Sequence, residues 1–138
     1  GIPGTGKTHF TFSLIRGLLD FYPNVLCDIR FFKSTVLDSQ LLAYTKQYGE
    51  ASVFMNHLKE LDFLFIDDFG LESDTSRLFL QYNDLIDSRL YNNKKTNIST
   101  NLKDEQIVKS FGDRVLSRLK EYSWIEFDGP DLRRGRVL

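Results

Sequence analysis

The sequence has few of the residues that define disulfide-rich, zinc-thiolate or membrane-spanning proteins. Its one cysteine, Cys27, excludes an intrachain disulfide framework and a cysteine-based zinc site, and lies in a strand-like run where we expect a buried, inert thiol. His9 and His57 have no His or Cys partner at metal-ligand spacing. No stretch approaches the ~18 apolar residues of a membrane span, and no signal peptide is visible. We therefore expect a cytoplasmic protein with no membrane contact.

A strong charge bias is also absent. The 18 basic and 19 acidic residues give a net charge of −1 at pH 7. This balance excludes a broad basic surface, so any contact with DNA must be local or shared across an assembly. With 138 residues, 41% hydrophobic and 27% charged, the composition is that of a globular protein with its own core. We therefore treat residues 1–138 as one domain.

The first eight residues spell a complete phosphate-binding loop, Gly-x-x-x-x-Gly-Lys-Thr. Glycines let the backbone curl so that its N–H groups point at phosphate oxygens. Lys7 is then placed to reach the β- and γ-phosphates, and the Thr8 hydroxyl to bind Mg²⁺. Apolar residues at helical spacing follow, so a helix should begin here with its positive end toward the phosphates. The predicted nucleotide-binding residues are Gly1, Gly4, Thr5, Gly6, Lys7 and Thr8.

The strand that normally leads into such a loop is missing from the sequence. The chain begins at Gly1 without an initiator Met. The motif is complete only when a strand precedes the loop and a helix follows it. We expect that the sequence is a fragment of a longer protein and that this strand lies outside it.

Strand-like and helical segments alternate along the rest of the chain. The predicted strands span 25–32, 62–70, 96–100 and 124–127. The predicted helices span 8–22, 34–48 with Ser34 as N-cap, 50–61, 73–93 beginning at Ser73 or Asp74, and 103–122 with a break at Gly112. This alternation predicts an α/β fold with a mainly parallel sheet flanked by helices. Ligands in such sheets bind at the carboxyl ends of the strands.

Two aspartates end the apolar run "FLFI". Asp67 is positioned to hold Mg²⁺ together with Thr8, because Mg²⁺ prefers one or two carboxylates plus phosphate oxygens. Asp68 is the candidate to orient or deprotonate the attacking water in ATP hydrolysis. The alternative is that both aspartates simply end a strand and cap a turn. Their position about 60 residues after an intact phosphate loop favours the catalytic reading.

Four motifs occur in an order that resembles one family. "GIPGTGKTH", "LFIDDFG", "ISTNL" and "GDRVLSRL" are similar to motifs of the AAA+ ATPases of the bacterial helicase-loader group (DnaC and DnaI) and the related IstB-like transposition ATPases. The resemblance covers nearly the whole chain and includes His9, which we group with the nucleotide-binding residues. It implies an AAA+ phosphate-loop core whose central strand is missing here, without a helical lid domain.

The resemblance also assigns roles to later residues. Asn101 resembles the first sensor, which binds the attacking water or the γ-phosphate; alternatively it is the N-cap of the next helix. Arg118 resembles the arginine finger that reaches a neighbouring subunit's γ-phosphate, and Arg114 could assist it; alternatively both are surface arginines. Arg133, Arg134 and Arg136 form a basic tail for which a second sensor, surface charge and DNA contact all stay open. Lys7, Asp68, Asn101 and Arg118 are the predicted catalytic set.

Aromatic residues are expected mainly in the core. Trp124 and most of the 12 phenylalanines fit that description. Phe31 and Phe32 precede Lys33 and could instead present a ring to single-stranded DNA.

The family likeness implies an ATPase that uses ATP and Mg²⁺ and works as a homo-oligomer through Arg118. It would couple nucleotide state to binding of a hexameric replicative helicase and single-stranded DNA. Two alternatives stay open at this point: a transposition ATPase that remodels target DNA, and a nucleotide-dependent interaction switch with little hydrolysis of its own. A small-molecule kinase lacks support because Asn101 and Arg118 would have no explanation.

Overall fold

The computed structural model describes residues 3–23, 27–70 and 79–131, with the Phe79 side chain excepted. The described helices are α1 (Lys7–Phe21), α2 (Ser34–Tyr48), α3 (Ser52–Glu60), α4 (Phe79–Tyr91) and α5 (Asp104–Leu119). The described strands are β1 (Ile29–Lys33), β2 (Phe63–Phe69) and β3 (Lys95–Thr100). None of the helices within these ranges has the length and apolar character needed to cross a bilayer. Ser73 and Asp74, the predicted start of α4, lie outside the described residues.

The three strands form one parallel sheet in the order β1-β2-β3. In the register, Phe31 of β1 pairs with Phe65 of β2, and Ile66 of β2 pairs with Ile98 of β3. The middle strand β2 is buried along most of its length, which explains its nearly continuous apolar sequence. The predicted α/β fold with a parallel sheet flanked by helices is confirmed.

The main core lies between the sheet and helices α2 to α5. Leu37, Leu58, Ile66, Leu85 and Phe111 each expose 1% of their surface or less. By contrast, Thr11 is the only buried residue of α1. The core therefore holds α2 to α5 against the sheet more tightly than α1.

The predicted break of the last helix at Gly112 is confirmed. Gly112 lies inside α5 with φ 82° and ψ 165°, a conformation that is essentially restricted to glycine. The residue kinks the helix and separates its two amphipathic halves.

Several local predictions were wrong. Ser34 is the first residue of α2 rather than its N-cap, which is Lys33. Residues 124–127 form no strand, and Trp124 is 53% exposed, with its indole Nε1 donating to the Leu119 carbonyl at 3.0 Å. Cys27 is half-buried rather than buried. Local sequence favours a cap or a strand, but tertiary partners decide the outcome.

The phenylalanines only partly follow the prediction of core positions. Phe12 and Phe21 on α1 are 52% and 82% exposed. Phe31 is half-buried against Phe12, with ring centroids 4.8 Å apart. Phe32 packs partly buried against the core.

Arg89 is a buried cation that joins three elements. It lies on α4 with no exposed surface, and its Nη1 donates to the Leu58 and Leu61 carbonyls at 2.7 and 2.8 Å. Its Nη2 donates to the Lys95 carbonyl at 2.7 Å, and its Nε donates to the Thr96 hydroxyl at 2.8 Å. Helix ends leave such carbonyls without intrahelical partners, and their partial negative charge favours a cation. Burial lowers the pKa of Arg89, so the hydrogen bonds must offset its desolvation.

We expect Arg89→Met to destabilise the protein by about 3 kcal/mol or more. The substitution leaves several buried carbonyls without a donor, and each such group costs roughly 1–3 kcal/mol. Urea denaturation measures this loss. The urea concentration at the midpoint should fall, while the slope of the free energy of unfolding against urea concentration should not change. Arg16→Met is the matched control, because Arg16 has a side chain that is 87% exposed and should change stability by less than ~0.5 kcal/mol. Equal midpoints for the two variants would contradict the structural role of Arg89.

Candidate nucleotide site

The phosphate loop runs directly into the first helix. Gly4 and Gly6 have φ of 85° and 94°, in the left-handed region that favours glycine. Gly6 is the N-cap of α1, and its carbonyl accepts the Phe10 N–H at 2.9 Å. The N–H groups of the first helical turn have no partners within a helix, so this end of α1 suits an anion. Gly1 lies outside the described residues.

A carboxylate that no sequence motif indicated lies against this loop. A Cβ atom built on Gly4 would come within 1.9 Å of Asp131 Oδ1. Gly4 is therefore required both by its φ and by the space that the Asp131 side chain occupies. Asp131 lies far along the chain in an irregular segment, so local sequence gives no signal for this contact.

Thr8 and Asp67 meet across 59 residues of sequence. The Thr8 hydroxyl donates to Asp67 Oδ2 at 2.8 Å. Asp67 is 1% exposed, and the Ser99 hydroxyl donates to its other oxygen, Oδ1. The helix that follows the loop and the end of β2 thus place the two predicted Mg²⁺ ligands in direct contact. Ser99 was not predicted to take part.

Asp68 stands in a strained position at the end of β2. Its φ is 56°, which is uncommon for a residue with a side chain. The β2–β3 register shifts between Ile66 and Phe69, so Asp68 lies in a bulge. Strained backbone of this kind clusters at functional sites, although it does not by itself define a role.

Asn101 lies beside Asp68. Its Nδ2 donates to Asp68 Oδ1 at a long 3.4 Å, and its buried Oδ1 has no partner within the described part of the chain. The alternative role as a helix N-cap is wrong, because α5 begins at Asp104 with Lys103 as its N-cap. A buried amide oxygen without a partner fits a group that receives a ligand or water.

Lys7 and His9 occupy the first turn of α1. Lys7 is half-buried, whereas His9 is exposed. The His9 carbonyl accepts the Ser13 hydroxyl at 3.0 Å. Their predicted contacts with nucleotide stay predictions.

Arg118 and Arg114 share a carboxylate on α4. Arg118 Nε lies 2.5 Å from Asp87 Oδ1, and Arg114 Nη2 donates to Asp87 Oδ2 at 2.7 Å. Arg118 Nη1 also donates to Glu121 at 2.6 Å, and the bonds and charges of Glu121 and Asp87 raise the pKa of Arg118. The role of Asp87 could not be predicted, because it is one of several polar residues along α4. Arg133, Arg134 and Arg136 lie outside the described residues.

Comparison with known proteins supports the family resemblance. The chain is 26% identical over 139 residues to "Replicative helicase loader DnaC" of Escherichia coli (strain K12), covering 99% of this chain and 55% of that protein. No protein-family model matches the chain. The chain spans about half the length of the curated relatives it matches.

Solved structures show the same fold. "Crystal structure of the DnaC helicase loader" superposes with a TM-score of 0.70 at 23% identity, covering 86% of this chain and 70% of that one. "Structure of AMPPCP-bound DnaA from Aquifex aeolicus" superposes with a TM-score of 0.74 at 19% identity, covering 91% and 38%. The chain has the AAA+ fold. Within that class, its resemblance to the helicase-loader group is confirmed.

Proposed function

We propose that this chain is the ATP-binding and ATP-hydrolysing domain of a DNA-replication helicase loader. The single observation that carries the proposal is the contact between Thr8 and Asp67, which joins the phosphate loop to the end of β2. The DnaA neighbour is described as AMPPCP-bound, which supports a nucleotide as the ligand of this fold. The DnaC relative is described as a replicative helicase loader, which favours loading over the transposition alternative.

The residues present fit ATP and Mg²⁺. Gly4, Thr5, Gly6 and Lys7 would hold the phosphates, with His9 nearby at the start of α1. In the described part of the chain, no group of three His, Cys, Asp or Glu side chains could hold a metal by itself. Thr8 and Asp67, with phosphate oxygens completing the shell, form the donor set that Mg²⁺ prefers. When bound there, ATP would supply the phosphoryl group and Mg²⁺ would neutralise part of the phosphate charge.

The second part of the proposal concerns hydrolysis. Asp68 orients or deprotonates the attacking water, and Asn101, which donates to Asp68 Oδ1 at 3.4 Å, completes this polar group. Arg118 supplies the remaining positive charge from a neighbouring copy of the chain. The partners that follow are a homo-oligomer, a hexameric replicative helicase and single-stranded DNA. The nucleotide state would set the affinity for the last two.

We expect Lys7→Ala to raise the nucleotide Kd roughly 10- to 150-fold. The substitution removes a charge-assisted contact with phosphate, which is worth about 1.5–3 kcal/mol. Isothermal titration of the intact protein with Mg²⁺-ATP and Mg²⁺-ADP measures the change. Lys46→Ala is the matched control, because Lys46 is exposed in the last turn of α2. Unchanged affinity in Lys7→Ala would contradict the proposed site.

A further inference from the structure

The β2–β3 ladder is interrupted beside the candidate catalytic carboxylate. Regular pairing stops after Ile66 and resumes at Phe69 with a shifted register. A bulge of this kind takes backbone groups out of the ladder, and buried backbone groups need other partners. The bulge also carries the positive φ of Asp68, which persists only where the surroundings enforce it.

Three side-chain hydroxyls supply the missing hydrogen bonds. Ser34, buried at the start of α2, donates to the Asp68 carbonyl at 2.8 Å. Ser99 accepts the Asp68 N–H at 3.1 Å, and Thr100 donates to the Phe69 carbonyl at 2.7 Å. We call Ser34, Ser99 and Thr100 the hydroxyl clamp. The clamp holds the bulge from α2 on one side and from β3 on the other.

Ser99 is the central member of the clamp because it contacts both aspartates. Its hydroxyl accepts from the Asp68 N–H and donates to Asp67 Oδ1. A serine hydroxyl has a single proton, so the donor is committed to the Asp67 carboxylate. The same side chain therefore links the position of the metal-binding carboxylate to the backbone that carries Asp68.

We propose that the hydroxyl clamp positions Asp68 for ATP hydrolysis and that Ser99 is its principal positioning residue. This inference rests on the proposed function. Ser99 does not act on the reacting atoms itself. It fixes the bulge so that the Asp68 carboxylate and Asn101 lie together, and a small displacement of a positioned group can cost a large factor in rate.

The test compares Ser99→Ala with Ser99→Thr in the intact protein. Ser99→Ala loses the hydroxyl and should lower kcat by roughly 10- to 100-fold while the nucleotide Kd changes by less than about 3-fold. Ser99→Thr keeps the hydroxyl and should recover most of the activity, which a merely space-filling role does not predict. Ser39→Ala is the control, because the Ser39 hydroxyl is exposed and donates to the Thr35 carbonyl of its own helix. Unchanged kcat in Ser99→Ala would overturn the inference.

Hydrogen exchange separates failure of this inference from failure of the proposed function. The Asp68 amide should exchange about 10-fold faster or more in Ser99→Ala than in the wild-type protein or Ser39→Ala, because it loses its acceptor. Faster exchange at Asp68 together with a wild-type protein that has no ATPase activity would overturn both the proposed hydrolysis and the positioning role, leaving the clamp as a structural device. Unchanged exchange would overturn the clamp even if the protein is an active ATPase.

Discussion

Asp68→Asn is expected to slow ATP hydrolysis by roughly 10²–10⁴-fold, the usual contribution of a general base. Nucleotide affinity should stay within a few fold of wild type, because orientation of water matters in the transition state and not in the bound ground state. Steady-state turnover and nucleotide titration on the same protein measure the two effects. Asp20→Asn is the matched control, since the Asp20 side chain is 75% exposed near the end of α1.

Asp67→Asn should behave differently from Asp68→Asn. Asp67 is buried and accepts from both Thr8 and Ser99, and its carboxylate is the proposed Mg²⁺ ligand. Its loss should weaken binding of nucleotide in the presence of Mg²⁺ and have less effect on binding measured with EDTA. If both variants lose affinity and turnover to the same extent, the division of labour between the two aspartates is wrong.

The sequence was enough to predict that the candidate site residues lie close together, because their proximity depends on the order and direction of the strands. The carboxyl ends of parallel strands meet at one edge of a sheet, so a loop before α1, a carboxylate after β2 and an amide after β3 must lie close together. Thr8 does contact Asp67, and Asn101 does lie beside Asp68. The helix break at Gly112 was predictable for a local reason, because glycine is the residue that tolerates its backbone angles.

The contacts that support the site could not be predicted, because they join residues far apart in sequence. Ser34 has the local features of a helix N-cap, yet its hydroxyl bonds the carbonyl of Asp68, 34 residues away. Ser99 lies in the motif "ISTNL", but its residue type assigned it no role there, and Asp131 lies outside all four motifs. Their contacts follow from a bulge and an irregular segment, which only the folded chain defines.

The segment from 124 to 127 was misassigned for a related reason. Its apolar and aromatic residues have the composition of a strand, but strand formation depends on pairing with a neighbour. Trp124 instead bonds the end of α5 through its indole and stays half-exposed. Composition alone could not distinguish these two outcomes.

Arg118 on α5 is the second residue whose loss we expect to slow ATP hydrolysis by a large factor. Arg118 is 40% exposed in its side chain, and Asp87 and Glu121 hold its guanidinium from two sides. Arg118→Ala is expected to bind ATP normally and to hydrolyse it roughly 10³–10⁵-fold more slowly, the effect of an arginine finger in related NTPases. Arg16→Ala, on an exposed face of α1, should keep full activity.

If Arg118 acts on the nucleotide of a neighbouring subunit, two inactive variants should rescue each other. Lys7→Ala retains Arg118 but has a broken nucleotide site, and Arg118→Ala has the reverse defects. In a mixed oligomer, some interfaces place the intact nucleotide site of an Arg118→Ala subunit beside the intact Arg118 of a Lys7→Ala subunit. ATPase activity should therefore partly return on mixing. Wild-type activity should also rise more steeply than linearly with protein concentration, because the complete site forms only between subunits. If the mixture stays inactive while size-exclusion chromatography shows that both variants still assemble, Arg118 serves only its bonds to Asp87 and Glu121 within its own chain.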